Sequence, residues 1–238
     1  MSPFTWLSQP WLTPDEWQAV RLSLSVASRS VAFGLPVAVL AAYALARGRF
    51  WGRSLLDALV HLPLVMPPVV VGWGLLLLFG VRGPLGSVLQ DWFGVRLVFT
   101  SAGAALATAV MAFPLMVRAI RLSLETVDPG LEAAARTLGA GPIDRFVTVT
   151  LPMMAPGVLA GAVVAFAAGL GEFGAVITFA SSIPGQTQTL PLAIYAATQV
   201  PGGEATAAKL SAVSFTLAIT ALLLSELIAR RMHRLLGR

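Results

Sequence analysis

Residues 151–179 read LPMMAPGVLAGAVVAFAAGLGEFGAVITF, and in these twenty-nine positions the only charge is Glu172. About 20 apolar residues in a helix cross the hydrocarbon core of a bilayer. The stretch is longer than a buried core helix needs and carries almost nothing that water would hold. It is read as a membrane span starting near Leu151 and running to about Phe179. The surroundings extend the argument, because residues 146–203 contain no second charge.

The rest of the chain has the same character. It is 57% hydrophobic and 11% charged over 238 residues, with a mean hydropathy of +0.82. A soluble domain carries about 25% charged residues. Four further spans are expected, at about Ala19–Ala46, Leu59–Val81, Leu97–Val117 and Ala205–Ala229. The last has Lys209 near one end and Glu226 near the other. Pro63, Pro67 and Pro68 should kink the second. The fold class expected is all-α: a polytopic transmembrane helix bundle of about five spans, forming one domain over residues 1–238.

The net charge of +5 does not mark a nucleic-acid surface, because the arginines cluster between apolar runs. Arg47, Arg49 and Arg53 follow the first span; Arg118, Arg121, Arg136 and Arg145 follow the third; Arg230, Arg231, Arg234 and Arg238 form the tail. The opposite connections hold only Arg82, Arg96 and Lys209. The positive-inside bias puts the N-terminus outside and the C-terminus in the cytoplasm. Residues 1–15 lack a basic region followed by a short apolar core, so no cleaved signal peptide is expected. With no cysteine, disulfides and cysteine metal sites are excluded. His61 and His233 are too few and too far apart for a metal centre.

The polar connection from about residue 118 to 152 is the most informative. Asp128-Pro129 reads as an N-cap followed by proline in the first helical turn. Glu132-Ala133-Ala134-Ala135-Arg136-Thr137-Leu138 is a strong short helix by propensity. Gly139, in a left-handed conformation, and Gly141 should end it. Taken alone, this is equally an ordinary amphipathic surface helix or a docking element whose small face admits another surface. Between Phe173 and Gly203, breakers at Ser181–Gly185, Pro191 and Pro201–Gly203 suggest an outer loop with a short helix near Leu192–Thr198, a candidate outer mouth of a pathway.

The run from Glu132 to Gly139, followed by Val149-Thr150-Leu151-Pro152, resembles the EAA loop of binding-protein-dependent ABC importers. Ala134, Ala135, Gly139, Leu151 and Pro152 fall in register with that pattern, and Val149 stands at its isoleucine. The acid departs: Glu132 lies one residue early, and Ala133 takes its place. The resemblance implies a type I ABC importer permease in which Glu132, Ala134, Ala135, Gly139, Leu151 and Pro152 form the coupling element to an ATPase.

A second resemblance covers about Glu16 to Arg230. Leu170 to Phe179, Ile183-Pro184-Gly185-Gln186-Thr187-Gln188-Thr189-Leu190-Pro191, His61 to Val70, Phe113 to Arg121 and Pro201-Gly202-Gly203-Glu204 are similar to molybdate permeases. Sulfate and thiosulfate permeases are similar at Gly171-Glu172-Phe173-Gly174 and in the Ile-Pro-Gly segment, and less so around the second span. The family implies import of molybdate, and of tungstate with it, with sulfate as the alternative. It also implies two copies of the chain around the pathway, a cytoplasmic ATPase dimer carrying ATP and magnesium, an external molybdate-binding protein, and a place in the bacterial inner membrane.

Gly171, Glu172, Phe173 and Gly174, with Pro67 and Pro68, are the gate or pathway candidates. An acid at mid-membrane is costly, about 2.5–3.5 kcal/mol on insertion scales. Glu172 is therefore either a latch in a gate or an acid that hydrogen-bonds backbone freed by Gly171 and Gly174. It should not bind an anion. Thr100, Ser101, Thr108 and Thr178 could line a path, or let helices approach closely; Gly157 and Gly161 suit close contact within one subunit or between two. A lone secondary transporter would need coupling carboxylates and inverted repeats, and an intramembrane enzyme would need a clustered catalytic set. Neither is visible. No G-x-x-x-x-G-K-[ST] loop occurs, and Lys209 is the sole lysine; the chain is expected to hydrolyse no ATP and to hold no cofactor itself.

Overall fold

The computed structural model describes residues 11–235, the last turns of the final helix mostly as backbone. The side chains of Glu226, Arg230, Arg231, His233 and Arg234, and Arg238 entirely, lie outside the described residues. Every regular element described is helical: α1 (Pro14–Arg47), α2 (Arg53–Val65), α3 (Pro68–Phe79), α4 (Pro84–Phe93), α5 (Ser101–Glu125), α6 (Pro129–Thr137), α7 (Pro142–Arg145), a π-helical turn (Phe146–Thr150), α8 (Leu151–Leu170), α9 (Gly174–Ala180), α10 (Leu190–Thr198) and α11 (Glu204–Leu235).

Four helices are long and apolar enough to cross a membrane: α1, α5, the continuous helix of residues 142–170, and residues 204–224 of α11. A fifth counts if α2 and α3 form one broken span. The centre is the packing of α1, α5 and α8, whose shared core includes Ala38, Ala42, Leu45, Met116, Ile120, Leu124, Met154 and Ala165. Glycines on α8 bring it close to α5 along this seam. A Cβ on Gly161 would stand 3.2 Å from Met116 O, and one on Gly157 2.9 Å from Ala119 O. These two glycines therefore make their close contact inside the chain, α8 on α5, as small-xxx-small spacing favours in lipid. Thr108 is fully buried, donates to Ala104 O and faces Gly169; its role is packing.

The structure corrects three of the expected spans. The stretch Leu59–Val81 is broken rather than gently kinked: α2 and α3 are bent by 118° at Met66–Pro67, as a broken span or a re-entrant loop. Pro67 and Pro68 supply no N–H, and Pro68 holds Pro67 extended, at ψ 133°. The span Leu97–Val117 begins later and ends later, at Glu125, because nothing in Arg118–Glu125 breaks a helix. Ile120 and Leu124 stay buried on one face, and Arg121 pairs with Glu125 one turn on. Arg118 and Arg121 are thus helical residues of α5, not part of a connection. The stretch Leu151–Phe179 stops at Leu170 and restarts at Gly174.

At the other end of α1, Thr13 caps the helix in a capping box with Glu16. Buried Glu16 also meets Lys209 Nζ of α11 at 2.8 Å. Ser23 Oγ accepts from Leu190 N at 2.6 Å, which fixes the start of α10. Leu190 and Leu192 are buried beneath it, so α10 rests on protein, against α1 and α11.

Candidate functional site

Two regions hold the residues singled out by sequence. The first is the loop after α5. Asp128 Oδ1 accepts from Gly130 N at 2.7 Å, and Pro129 opens α6. The helix closes where Leu138 N donates to Ala134 O, Gly139 N to Arg136 O and Ala140 N to Ala135 O. Gly139 has φ +90°, a conformation that only glycine adopts without strain. Leu151 and Pro152 open α8. Pro152 cannot donate to the preceding turn, and just before it the helix widens into the π turn, Leu151 N reaching back to Phe146 O.

No residue of α6 is buried. Ala133, Ala134 and Arg136 face outward, and Leu138 and Ile143 are 88% and 80% exposed. Around Arg136, Thr137 and Asp144 this outward surface is small-sided and apolar, with nothing among the described residues over it. Ala135 and Glu132 turn inward. Glu132 Oε1 accepts from Thr150 Oγ1 at 2.9 Å and lies 3.7 Å from Arg47 Nη2. Arg47, the last residue of α1, donates from Nη2 to Val127 O at 3.0 Å and reaches Leu124 O at 3.5 Å. Read from sequence, Arg47 was one positive-inside charge among several. Its partners lie about eighty residues away, and no local spacing signals them.

The second region is where the two helix breaks meet. A Cβ on Gly174 would come within 2.7 Å of Pro68 Cβ, and one on Gly72 within 2.7 Å of Ala175 O. The structure therefore brings Pro67–Pro68 and Gly171–Gly174 together, with α3 and α9 in backbone contact. Glu172 Oε1 accepts from Ala175 N at 2.9 Å and so satisfies a donor exposed by the restart of the helix. Among the described residues no cation pairs with it. Phe173 meets Tyr195 of α10 edge to face, with centroids 5.3 Å apart. Thr178 donates back to Gly174 O. Thr100 caps α5, and Ser101 Oγ accepts from Arg29.

A third cluster escaped the sequence reading. Arg121 Nη1 meets Asp57 Oδ1 of α2 at 3.0 Å, and its Nε meets Glu125 at 2.9 Å. His61 lies 3.5 Å from Asp57. With Arg118 and Leu122 these line a cavity of about 400 Å³ between α2 and α5. The fourfold spacings of Asp57 to His61 and Arg121 to Glu125 were the available signal.

The sequence profile of the "binding-protein-dependent transport system inner membrane component" family matches residues 34–238. The chain belongs to that family. It is 56% identical over 227 residues to the molybdenum transport system permease protein ModB of Escherichia coli K12, covering 95% of this chain and 99% of that one. It is 52% identical over 222 residues to the ModB of Haemophilus influenzae, covering 93% and 97%. The sulfate transport system permease protein CysT of Salmonella typhimurium is 35% identical over 237 residues, covering 97% and 85%. Among solved structures, a chain of a bacterial alginate ABC transporter in complex with an alginate-bound periplasmic protein superposes with a TM-score of 0.72 at 18% identity, covering 99% of this chain and 84% of that one. A chain of the inward-facing MetNI methionine ABC transporter superposes at 0.65 and 20% identity, covering 98% and 99%. These likenesses give the fold: an importer permease core, in an inner membrane component.

Proposed function

We propose that this chain is the permease subunit of an ATP-driven importer of molybdate and, by its similar size and charge, tungstate. The observation that carries the reading is the 56% identity to a molybdenum permease along almost all of both chains, against 35% for a sulfate permease. Two copies enclose the pathway on their two-fold axis. With α2 and α3 read as one broken span, the N-terminus lies outside and the C-terminus in the cytoplasm, which puts α6 on the cytoplasmic side.

The exposed face of α6 and α7, with Ala134, Leu138 and Ile143 outward, suits docking into a cleft of a cytoplasmic ATPase. That partner binds ATP and magnesium; this chain catalyses nothing and holds no cofactor. An external binding protein delivers the oxyanion to loops at Pro184–Pro191 and Pro201–Glu204. Closure of the ATPase dimer draws the two α6 helices together and shifts the bundle between two states that nucleotide binds differently. The joint of α3 and α9, with Glu172 holding the restart of α9, stands where a gate would close.

The test is uptake of labelled molybdate at low concentration by cells with and without the chain. Uptake that disappears on deletion, yields to excess tungstate and withstands excess sulfate is the expected result. Uptake abolished by sulfate would move the substrate to sulfate and leave the permease role standing.

A further inference from the structure

Helix α6 has no buried residue, so apolar packing does not hold it to the bundle. Besides its chain connections and the neighbouring π turn, its tether is polar and passes through one carboxylate. Glu132 Oε1 receives Thr150 Oγ1 from the entry to α8 and faces Arg47 Nη2 at the end of α1. The same nitrogen of Arg47 donates to Val127 O, just past the end of α5, and approaches Leu124 O in its last turn. The ends of α1, α5 and α8, the three helices that share the central core, thus meet α6 at one ion pair.

Two details show that the contact is built. The acid at position 132, one residue ahead of the usual register, is what turns inward, while Ala133 in the usual place faces out. Arg47 Nε is buried with no acceptor among the described residues. A buried donor left unpaired is costly, and such a group calls for an explanation. A contact with a second arrangement supplies one: a small displacement of α6 re-aims Glu132 along the guanidinium edge.

We propose that Arg47 is a positioning residue that carries the displacement of α6 into α1 and α5 through Glu132. The proposal rests on the reading of α6 as the ATPase-docking helix. Without Arg47, α6 still docks and the ATPase still turns over, but the core helices no longer follow.

The experiment uses the full importer, with its ATPase and binding protein, in proteoliposomes; ATP hydrolysed per molybdate taken up is the readout. Wild-type uptake is measured first. A wild type that shows no ATP-driven molybdate uptake refutes the functional reading, and the linkage falls with it. With wild-type uptake in hand, Arg47→Met should keep the complex assembled and hydrolysing, and raise ATP per molybdate about fivefold or more, the scale of an ordinary coupling energy. Arg47→Lys, which keeps the charge and a donor on one terminal nitrogen, should bring the ratio back toward that of the wild type. Glu132→Gln, on a helix with no buried residue, should shift it in the same direction, and the double variant Arg47→Met/Glu132→Gln should be no worse than Arg47→Met alone. An unchanged ratio in Arg47→Met or Glu132→Gln, effects that multiply in the double variant, loss of the ATPase from purified Arg47→Met, or a lysine variant as defective as methionine would each overturn the proposal.

Discussion

The loop that carries α6 and the joint between α3 and α9 solve opposite problems. Helix α6 buries nothing, is capped by Asp128, and is tied to the bundle by Glu132. The joint has no slack: two glycines let backbone touch backbone, and Glu172 holds the restart of α9. A surface helix on polar tethers shifts as a unit when pushed, because such a tether can take a second arrangement without any loss of packing. A close-packed joint resists any partial displacement, because interiors packed to crystal density are bistable rather than compliant. The same chain therefore places its adjustable contact at one end and its unyielding one at the other.

The largest effect should come from filling the joint. Gly72→Val puts a methyl group against Ala175 O, and backbone cannot give way as the end of a side chain can. Overpacking of this kind costs about 1–3 kcal/mol, occasionally more. Less folded protein in membranes and a lower melting temperature in detergent are expected, with uptake falling in proportion. Gly72→Ala should show the same change, reduced. A Gly72→Val protein as stable as wild type would mean that α3 and α9 do not touch in the membrane.

Next is Gly139. A Cβ there meets no neighbour, so a substitution is strained only through φ +90°, about 1–2 kcal/mol for an L-residue held left-handed. Gly139→Val should leave insertion and melting nearly unchanged while uptake drops, because the end of α6 must change direction. Gly139→Asn, better tolerated in this conformation, should lie between. Wild-type uptake by the valine variant would count strongly against α6 as a coupling element. The two glycines thus separate the regions: one substitution lowers the amount of protein, the other its coupling.

What could be read in the sequence follows the range of the forces involved. The cap at Asp128, the turn at Gly139 and a bend at Pro67 depend on a few neighbouring residues and were visible, though not how sharp the bend is. The break at Gly171–Phe173 was only hinted at by Glu172 and its flanking glycines, because one acid among twenty-nine residues leaves the stretch apolar enough to read as a single span. The length of α5 is hidden for the converse reason: Arg118 and Arg121 look like the end of a span, yet the helix continues past the apolar run to Glu125. The pairing of Arg47 with Glu132, and the meeting of Gly174 with Pro68, join segments far apart in the chain. Neither leaves a periodic trace.

A smaller effect is expected at Glu172. Its carboxylate accepts from Ala175 N, and losing a capping acceptor costs about 0.5–2 kcal/mol. Glu172→Gln keeps an oxygen in place and should retain most of the stability; Glu172→Ala should lose it. If instead both reduce uptake equally at unchanged melting temperature, the charge itself works in the pathway, and the comparison sharpens: the rigid joint would then hold a moving part.

The smallest effect should come from the exposed network between α2 and α5. Arg121 bridges Asp57 and Glu125, but Asp57 is 44% exposed and Glu125 48%. Exposed pairs are worth about 0.2–1 kcal/mol and are screened by salt. Asp57→Asn should therefore shift melting slightly at low ionic strength and not at all at high. The cavity gives a second readout. Removing one acid beside Arg118 and Arg121 makes it more positive, and a divalent anion passing nearby would dwell longer. If uptake by Asp57→Asn slows at low salt and recovers at high salt while stability holds, the network belongs to the pathway's electrostatics. If uptake and melting change together, it is a brace that keeps α2 against α5, and the mobile region of the molecule extends no further than α6.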